Sequence, residues 1–284
     1  MEQVYDCIVI GGGPAGLSAA VNLRRRGRAP LVFSGGESLL AKAELVDNYL
    51  GLPGLTGRGL MDAFAAHARQ QGVEVKNARV GNVMPFGGTF MVNAGGDILT
   101  ARTVILACGV SKAAPVEGES EFLGRGVSYC ATCDGMLYRG KRVVVWGLAP
   151  DAPEEANFLA GIGCKVTYLA MKKPEGLAPD VVFTPGRVVR AEGEDALRAV
   201  VTPDGRLDAE GLFILRAAAP PDSLVPGLAV EGGAVLVNNR METNIPGLYA
   251  AGDLVGTPYQ VSKAAGEGLV AALAADSYLA AHTA

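Results

Sequence analysis

Residues Gly11-Gly12-Gly13-Pro14-Ala15-Gly16 stand between an apolar run and a helical pattern, and no other stretch limits the fold so sharply. Tyr5–Ile10 reads as a strand. From Pro14 to Arg26, Leu17, Ala20, Val21 and Leu23 recur on one helical face. Gly27 is placed to stop that helix, and Leu31–Ser34 follows as a second strand. Strand, glycine turn, helix and strand together begin a βαβ unit with a parallel sheet. In G-x-G-x-x-G the first glycine, Gly11, permits the tight turn. The second, Gly13, lets a pyrophosphate reach the backbone, and the third, Gly16, lets helix and strand pack closely. The helix start at Pro14 and Ala15 then faces phosphate charge. The pattern predicts a bound dinucleotide, with a plain glycine-rich turn as the alternative. The acid expected after the second strand is less distinct. Glu37 is a candidate ribose partner and equally a solvated loop carboxylate.

Further along, residues 39–57 read as irregular, 58–72 as a helix ending at Gly72, and 73–99 as short strands. Thr103–Ala107 is a buried strand running into Cys108-Gly109. The pattern then restarts: strand Arg142–Trp146, a turn at Gly147, helix Pro153–Gly161 and strand Lys165–Leu169. A third apolar strand, Gly247–Ala251, ends at Gly252-Asp253 and precedes an Ala-rich helix. The expected fold class is α/β with parallel central sheets in two domains. One is discontinuous, 1–112 with 241–284, and the second is inserted at 113–240. A carboxylate such as Asp253, directly after a buried strand and a glycine, faces a ligand at the sheet edge or caps the next helix, and the two roles are compatible.

Composition excludes several classes. Apolar residues make up 49% and charged residues 19%, ample for buried cores. The net charge of −4 supplies no basic field for nucleic acid. Arg24-Arg25-Arg26 is a local cluster, read as a solvated helix end with docking of an acidic protein as the lesser alternative. No leader-like segment is visible, and no apolar run approaches the ~20 residues that span a bilayer. A cytoplasmic protein without a membrane partner is the expectation.

Five cysteines, an odd and sparse set, argue against a disulfide framework. Cys7, Cys108 and Cys164 lie in or beside apolar strands and read as buried and inert. Cys130 and Cys133, in Cys130-Ala131-Thr132-Cys133-Asp134, differ. Their spacing closes a small disulfide ring, and at a helix start the free N–H groups would stabilise a thiolate. Asp134 stands ready to take or give the proton. Half of a zinc site is the rival reading, but a zinc ion needs four ligands, and the two histidines, His67 and His282, are far apart in sequence. A disulfide exchanges electrons poorly with hydride or one-electron donors, whereas a flavin handles both. A dinucleotide site together with a redox C-x-x-C therefore points to FAD.

With those residues in view, nearly the whole chain resembles the low-molecular-weight thioredoxin reductases. The resemblance rests on Gly11–Gly16, Val46-Asp47-Asn48-Tyr49, Cys130-Ala131-Thr132-Cys133-Asp134-Gly135, Ala250-Ala251-Gly252-Asp253, Tyr259-Gln260-Val261 and Ala265-Gly266-Glu267-Gly268. It implies two Rossmann-like domains, a non-covalent FAD, a homodimer, and thioredoxin as the partner reduced. It implies that Cys133 faces the flavin, that Cys130 attacks the partner disulfide, and that Asp134 is the acid–base residue. It also implies FAD contacts from Gly13, Ala15, Asn48, Asp253, Gln260 and Val261, with Val83 and Gly109 as further candidates. Members of the family rotate one domain against the other.

The second glycine turn departs from that family. Where NADPH-dependent members carry G-x-G-x-x-A, this chain has Gly147-Leu148-Ala149-Pro150-Asp151-Ala152. The Ala149 methyl intrudes on the pyrophosphate, Pro150 removes a donor, and Asp151 adds negative charge. Ala170-Met171-Lys172 replaces the cationic cluster for a 2′-phosphate, and Pro174–Asp180 lacks a long helical pattern. The resemblance thus narrows to the ferredoxin-dependent flavin thioredoxin reductases, with reduced ferredoxin as donor and Arg24–Arg26, Lys172 and Lys173 as candidate steering charges. The alternatives are an NADPH-dependent enzyme with an eroded site, a flavoprotein reducing another disulfide, and a flavin-binding redox sensor with little turnover.

Overall fold

The computed structural model describes residues 3–36, 38–110, 115–216 and 221–282. Contacts divide the chain into two units, residues 1–110 with 220–284 and residues 111–219. The second crossing therefore falls well before the boundary expected between 240 and 241. Leu224, Val225, Leu228 and Val235 explain the difference, because they are buried against Val83, Phe90, Leu106 and Leu248 of the first unit.

The first unit is built on a seven-stranded sheet. Its strands are β1 (Val4–Ile10), β2 (Pro30–Phe33), β3 (Glu74–Lys76), β4 (Val80–Phe86), β5 (Thr89–Ala94), β6 (Asp97–Leu106) and, late in the chain, β17 (Leu248–Ala250). The order is β3-β2-β1-β6-β5-β4, and β17 also pairs with β6. The β3-β2-β1-β6 part and the β6–β17 pair are parallel, while β4, β5 and the start of β6 form an antiparallel meander. Cys7–Ile10 are all buried, as a strand covered on both faces by helices and loops requires. Helices α1 (Pro14–Arg25), α2 (Gly57–Gln70) and α6 (Val261–Ala281) cover one face. Helix α6 is rich in alanine because it lies close against α1. A Cβ at Gly268 would sit 2.1 Å from the Ala15 carbonyl oxygen. A short helix α5 (Pro221–Leu224) and the hairpin β15 (Val230–Glu231) and β16 (Ala234–Val235) complete this unit. The irregular 39–57 stretch contains one 3-10 turn, Leu39–Lys42.

The second unit holds a five-stranded parallel sheet in the order β10-β9-β8-β14-β7. The strands are β7 (Val127–Ser128), β8 (Arg142–Gly147), β9 (Lys165–Ala170), β10 (Val182–Pro185) and β14 (Gly211–Leu215). Helix α4 (Ala152–Gly161) crosses from β8 to β9, and one turn, α3 (Ala131–Asp134), packs beside it. A three-stranded antiparallel sheet of β11 (Arg190–Gly193), β12 (Leu197–Thr202) and β13 (Gly205–Asp208) lies outside that layer. The parallel-sheet α/β class is as expected. No described helix is long and apolar enough to cross a membrane.

Candidate functional site

The glycine turn of the first unit separates two kinds of glycine. Gly11 has φ +118°, and a Cβ there would lie 2.1 Å from the Ala107 oxygen. A Cβ at Gly12 would lie 2.7 Å from Ser34 Oγ, and one at Gly16 would lie 1.8 Å from the Gly11 oxygen. The chain's own packing demands these three. Gly13 is different: a Cβ there meets only Ser38 Oγ, at 3.7 Å. Nothing in the fold excludes a side chain, yet the position opens onto the start of α1. Gly13 is the N-cap, no side chain caps the helix, and Pro14 enters the first turn. Pro14 has no N–H, and the Ala15 and Gly16 N–H groups of that turn find no acceptor within the helix, so they are the kind of donor a diphosphate needs. This cradle fits a dinucleotide.

Around it the fold gathers residues from distant segments. Asn48 Nδ2 donates to Gln260 Oε1 at 3.0 Å, although 212 positions separate them. Gln260 is the N-cap of α6, and Val261 its first residue. Ala15 is buried, and a Cβ at Gly252 would approach its side chain to 2.9 Å. Gly109 has φ +69° and open space at its Cβ. Val83, in β4, is fully buried in the core, main chain included, so the expected ligand contact from it is corrected. Glu37 lies outside the described residues. Asp253 sits in a 3-10 turn, Gly252–Val255, and not at the start of α6, so the helix-cap role is corrected. Burial pushes its carboxyl up, Lys263 draws it back, and Glu267 adds to the rise.

Lys263 and Glu267 are residues to which sequence reasoning gave no role. Lys263 Nζ donates to the Gly252 and Gly256 oxygens at 3.0 and 2.7 Å. Glu267 Oε2 accepts the Gly252 N–H at 2.9 Å and pairs with Lys263 at 3.1 Å. Together they shape the Asp253 turn. Their i,i+4 spacing on a helix was the available signal.

In the second unit, Cys130 and Cys133 form a disulfide. Cys130 is 2% exposed and Cys133 is partly exposed. Helix α3 is a single turn, so specific donors matter here more than a dipole. Cys133 N–H donates to Cys130 Sγ at 3.2 Å, and Thr132 Oγ1 lies 3.4 Å from the same sulfur. Ser128, in β7, organises the rest. Its hydroxyl donates to Asp134 Oδ2 at 2.7 Å and receives the Cys130 N–H at 3.2 Å. The expected acid–base residue is therefore held against the cysteine turn. The Ala131 N–H is taken by Glu155 Oε2 of α4 at 2.7 Å, so it is not the free donor expected from the sequence.

Tyr129, the residue before Cys130, belongs to a buried ionic cluster. Glu119 is fully buried and pairs through both oxygens with Arg216, 2% exposed, the Nη2–Oε2 contact measuring 2.7 Å. The Tyr129 hydroxyl and the Val116 N–H donate to the same carboxylate at 2.8 and 2.9 Å. Burial alone would raise the Glu119 carboxyl, but these donors hold it below the usual range. Neither Glu119 nor Arg216 stands in a recognisable motif.

The remaining thiols are unsuited to exchange. Cys7 and Cys164 are buried as expected whereas Cys108 is only half-buried, and desolvation raises Cys7 to about 12 and Cys108 to about 11, and also raises Cys164. His67 is exposed on α2, and His282 stacks on the Tyr278 ring. Arg24 donates to the Gln71 and Arg28 carbonyls and Arg26 pairs with Asp276, as a helix end would have them.

The second glycine turn is closed by the chain itself. A Cβ at Gly147 would lie 1.9 Å from the hydroxyl of Tyr168, a buried residue of β9. Burial and then the Asp151 charge raise that phenol to about 12. The Ala152 N–H bonds back to the Ala149 oxygen at 3.2 Å, and neither Pro150 nor Pro153 has one to offer. Donors for a diphosphate are thus depleted at α4, in contrast to α1. Among the described residues no helix stands between β9 and β10; Asn157 pins that segment through Gly176 and Ala178 instead.

A family model described as pyridine nucleotide-disulphide oxidoreductase matches residues 5–175 and 178–268. A thioredoxin reductase of Bacillus subtilis is 33% identical over 98% of this chain and 96% of its own. A bifunctional thioredoxin reductase/thioredoxin of Mycobacterium leprae is 38% identical over 99% of this chain and 67% of its own. Among solved structures, a ferredoxin-flavin thioredoxin reductase from Clostridium acetobutylicum superposes with TM-score 0.91 at 37% identity, covering 98% of each chain. A thioredoxin reductase from Gloeobacter violaceus gives 0.87 at 34% identity, covering 99% of this chain and 96% of its own.

Proposed function

This chain belongs to the pyridine nucleotide-disulphide oxidoreductase family, among its low-molecular-weight thioredoxin reductases, and on that premise we propose that it reduces thioredoxin through Cys130 and Cys133 with electrons from reduced ferredoxin. FAD is the cofactor of this family. The cradle before α1, with Gly11, Gly13, Pro14, Ala15 and Gly16, would hold its diphosphate. Gly252, Asp253, Asn48, Gln260, Val261 and Gly109 would line its other parts. Bound there, the flavin supplies a centre that takes electrons singly or in pairs and passes a pair to a disulfide.

The chain's own residues do the exchange. Opening the Cys130–Cys133 bond takes two electrons and two protons. Asp134, fixed by Ser128, holds and moves a proton beside the turn. The Cys130 thiolate then attacks the partner disulfide, and Cys133 displaces the reduced partner as the bond between them re-forms. Burial of Cys130 means that this attack needs an arrangement in which its sulfur is reachable. The first unit is the flavin domain in this reading, and the second is a remodelled nicotinamide domain that carries the thiols. Homodimer formation and a cytoplasmic location follow from the resemblance.

Tyr168 filling the space beside Gly147 is the observation that favours a protein donor over NADPH. The likeness to a ferredoxin-flavin enzyme points the same way. Anaerobic titration with reduced ferredoxin, NADPH and NADH in parallel, followed by flavin absorbance, tests it. Ferredoxin is expected to bleach the flavin while the nicotinamides leave it coloured. Rapid bleaching by NADPH would favour the eroded-site alternative.

A further inference from the structure

The turn that carries the redox pair is held from below by a residue outside the C-x-x-C string. Ala131 is fully buried between the two cysteines, and its N–H must find a partner. That partner is Glu155 Oε2, at 2.7 Å, from the first turns of α4. Glu155 is itself buried. The contact is tight over a wider area: a Cβ at Gly135 would meet Leu159 and Phe158 of α4, and Ile162 just after it, at 2.8–3.2 Å. Helix α4 starts where a family resemblance leads one to expect a diphosphate site, yet its first turns brace the cysteine turn.

We propose that Glu155 is a positioning residue for the Cys130–Cys133 pair, holding the turn in the geometry that closes the disulfide ring. Two thiols held at bonding separation form a disulfide more favourably than two thiols on a loosened turn. Without the carboxylate, the buried Ala131 N–H stays unpaired unless the turn shifts to find another acceptor. A turn that shifts in this way favours the open dithiol. The assignment rests on the reading of Cys130 and Cys133 as a redox pair.

The test is equilibration of the flavin-loaded protein in buffers of reduced and oxidised dithiothreitol. Each opening transfers two electrons and two protons from dithiothreitol, whose thiols close into their own ring. The dithiol fraction is trapped by alkylation and counted by mass spectrometry on the peptide carrying Cys130 and Cys133. Glu155→Met keeps the volume but offers no oxygen, and is expected to shift the equilibrium toward dithiol about tenfold, which is about 30 mV for a two-electron couple. Glu155→Gln, whose amide oxygen still accepts, is expected to stay within about threefold of wild type, a rescue by about 0.5 of a power of ten or better. Glu155→Ala takes the place of the methionine variant if that does not fold. Variants that all match wild type overturn the assignment. So does a glutamine variant shifted as far as the methionine one, since charge and not the hydrogen bond would then govern. A wild-type pair that never opens refutes the redox reading and this assignment with it. A wild-type pair that opens with all variants alike refutes the assignment alone.

Discussion

Gly13→Ala separates the demands of folding from those of ligand binding. Gly13 has φ −79° and ψ −174°, a conformation that alanine adopts without strain. The added methyl would meet only Ser38 Oγ, at 3.7 Å, an ordinary contact. Folding of the flavin-free protein should be unchanged or favoured by about 0.4–1 kcal/mol, the usual gain from restricting the unfolded chain. Binding should suffer. The methyl fills the space from which a diphosphate meets the bare N–H groups of α1. Losing about two hydrogen bonds to a charged group, at about 1.5–3 kcal/mol each, amounts to about 3–6 kcal/mol. That is about two to four powers of ten in affinity. Gly16→Ala is the contrast, because its methyl would lie 1.8 Å from the Gly11 oxygen and should disrupt the fold itself. The assay pairs FAD titration of the flavin-free variant, followed by flavin fluorescence, with thermal unfolding. A Gly13→Ala protein that binds FAD like wild type would show that Gly13 faces no diphosphate. One that fails to fold would show that the space before α1 is not open.

Three other outcomes are expected. Cys133→Ser should accumulate a mixed disulfide with oxidised thioredoxin and Cys130→Ser should not, as seen on non-reducing gels; the opposite pattern would exchange the two roles. Arg216→Met leaves the buried Glu119 carboxylate without its cation and should destabilise the second unit by about 3–5 kcal/mol, whereas Arg216→Met with Glu119→Leu should recover most of that. Fluorescence of Trp146, the chain's single tryptophan and a core residue of that unit, reports the urea midpoint. The pH dependence follows from the same carboxylate. Its folded pKa lies below its unfolded value, so its contribution is full above about 4.3 and is lost as pH falls through the lower folded value. The Trp146 midpoint should drop over that acidic range in wild type and drop less in the double variant.

Much of the site could be read along the chain because its parts are local. The glycine turn and the Cys130–Cys133 pair are each fixed by conformations and spacings within a few residues. Strand β1, helix α1, strand β8 and helix α4 follow from continuous apolar runs or helical periodicity bounded by glycine or proline. The 220–240 segment was harder, because its scattered apolar residues do not announce which core receives them. Strand β14 is an apolar run of five residues, and nothing local marks it as the partner of both β8 and β7.

The sequence by itself determined that this chain can present a diphosphate cradle and a dithiol, since backbone freedom at glycine and sulfur spacing are local properties. Only the tertiary structure decided their settings. It brought Asn48 to Gln260, Lys263 and Glu267 to the Asp253 turn, Glu155 beneath Ala131, Ser128 against Asp134, and Tyr168 into the space beside Gly147. Asn48 and Gln260 are 212 positions apart, and the other pairs are separated by intervening turns, strands or helices. Each exists because strand order and helix packing set the distance between segments, which no local pattern encodes.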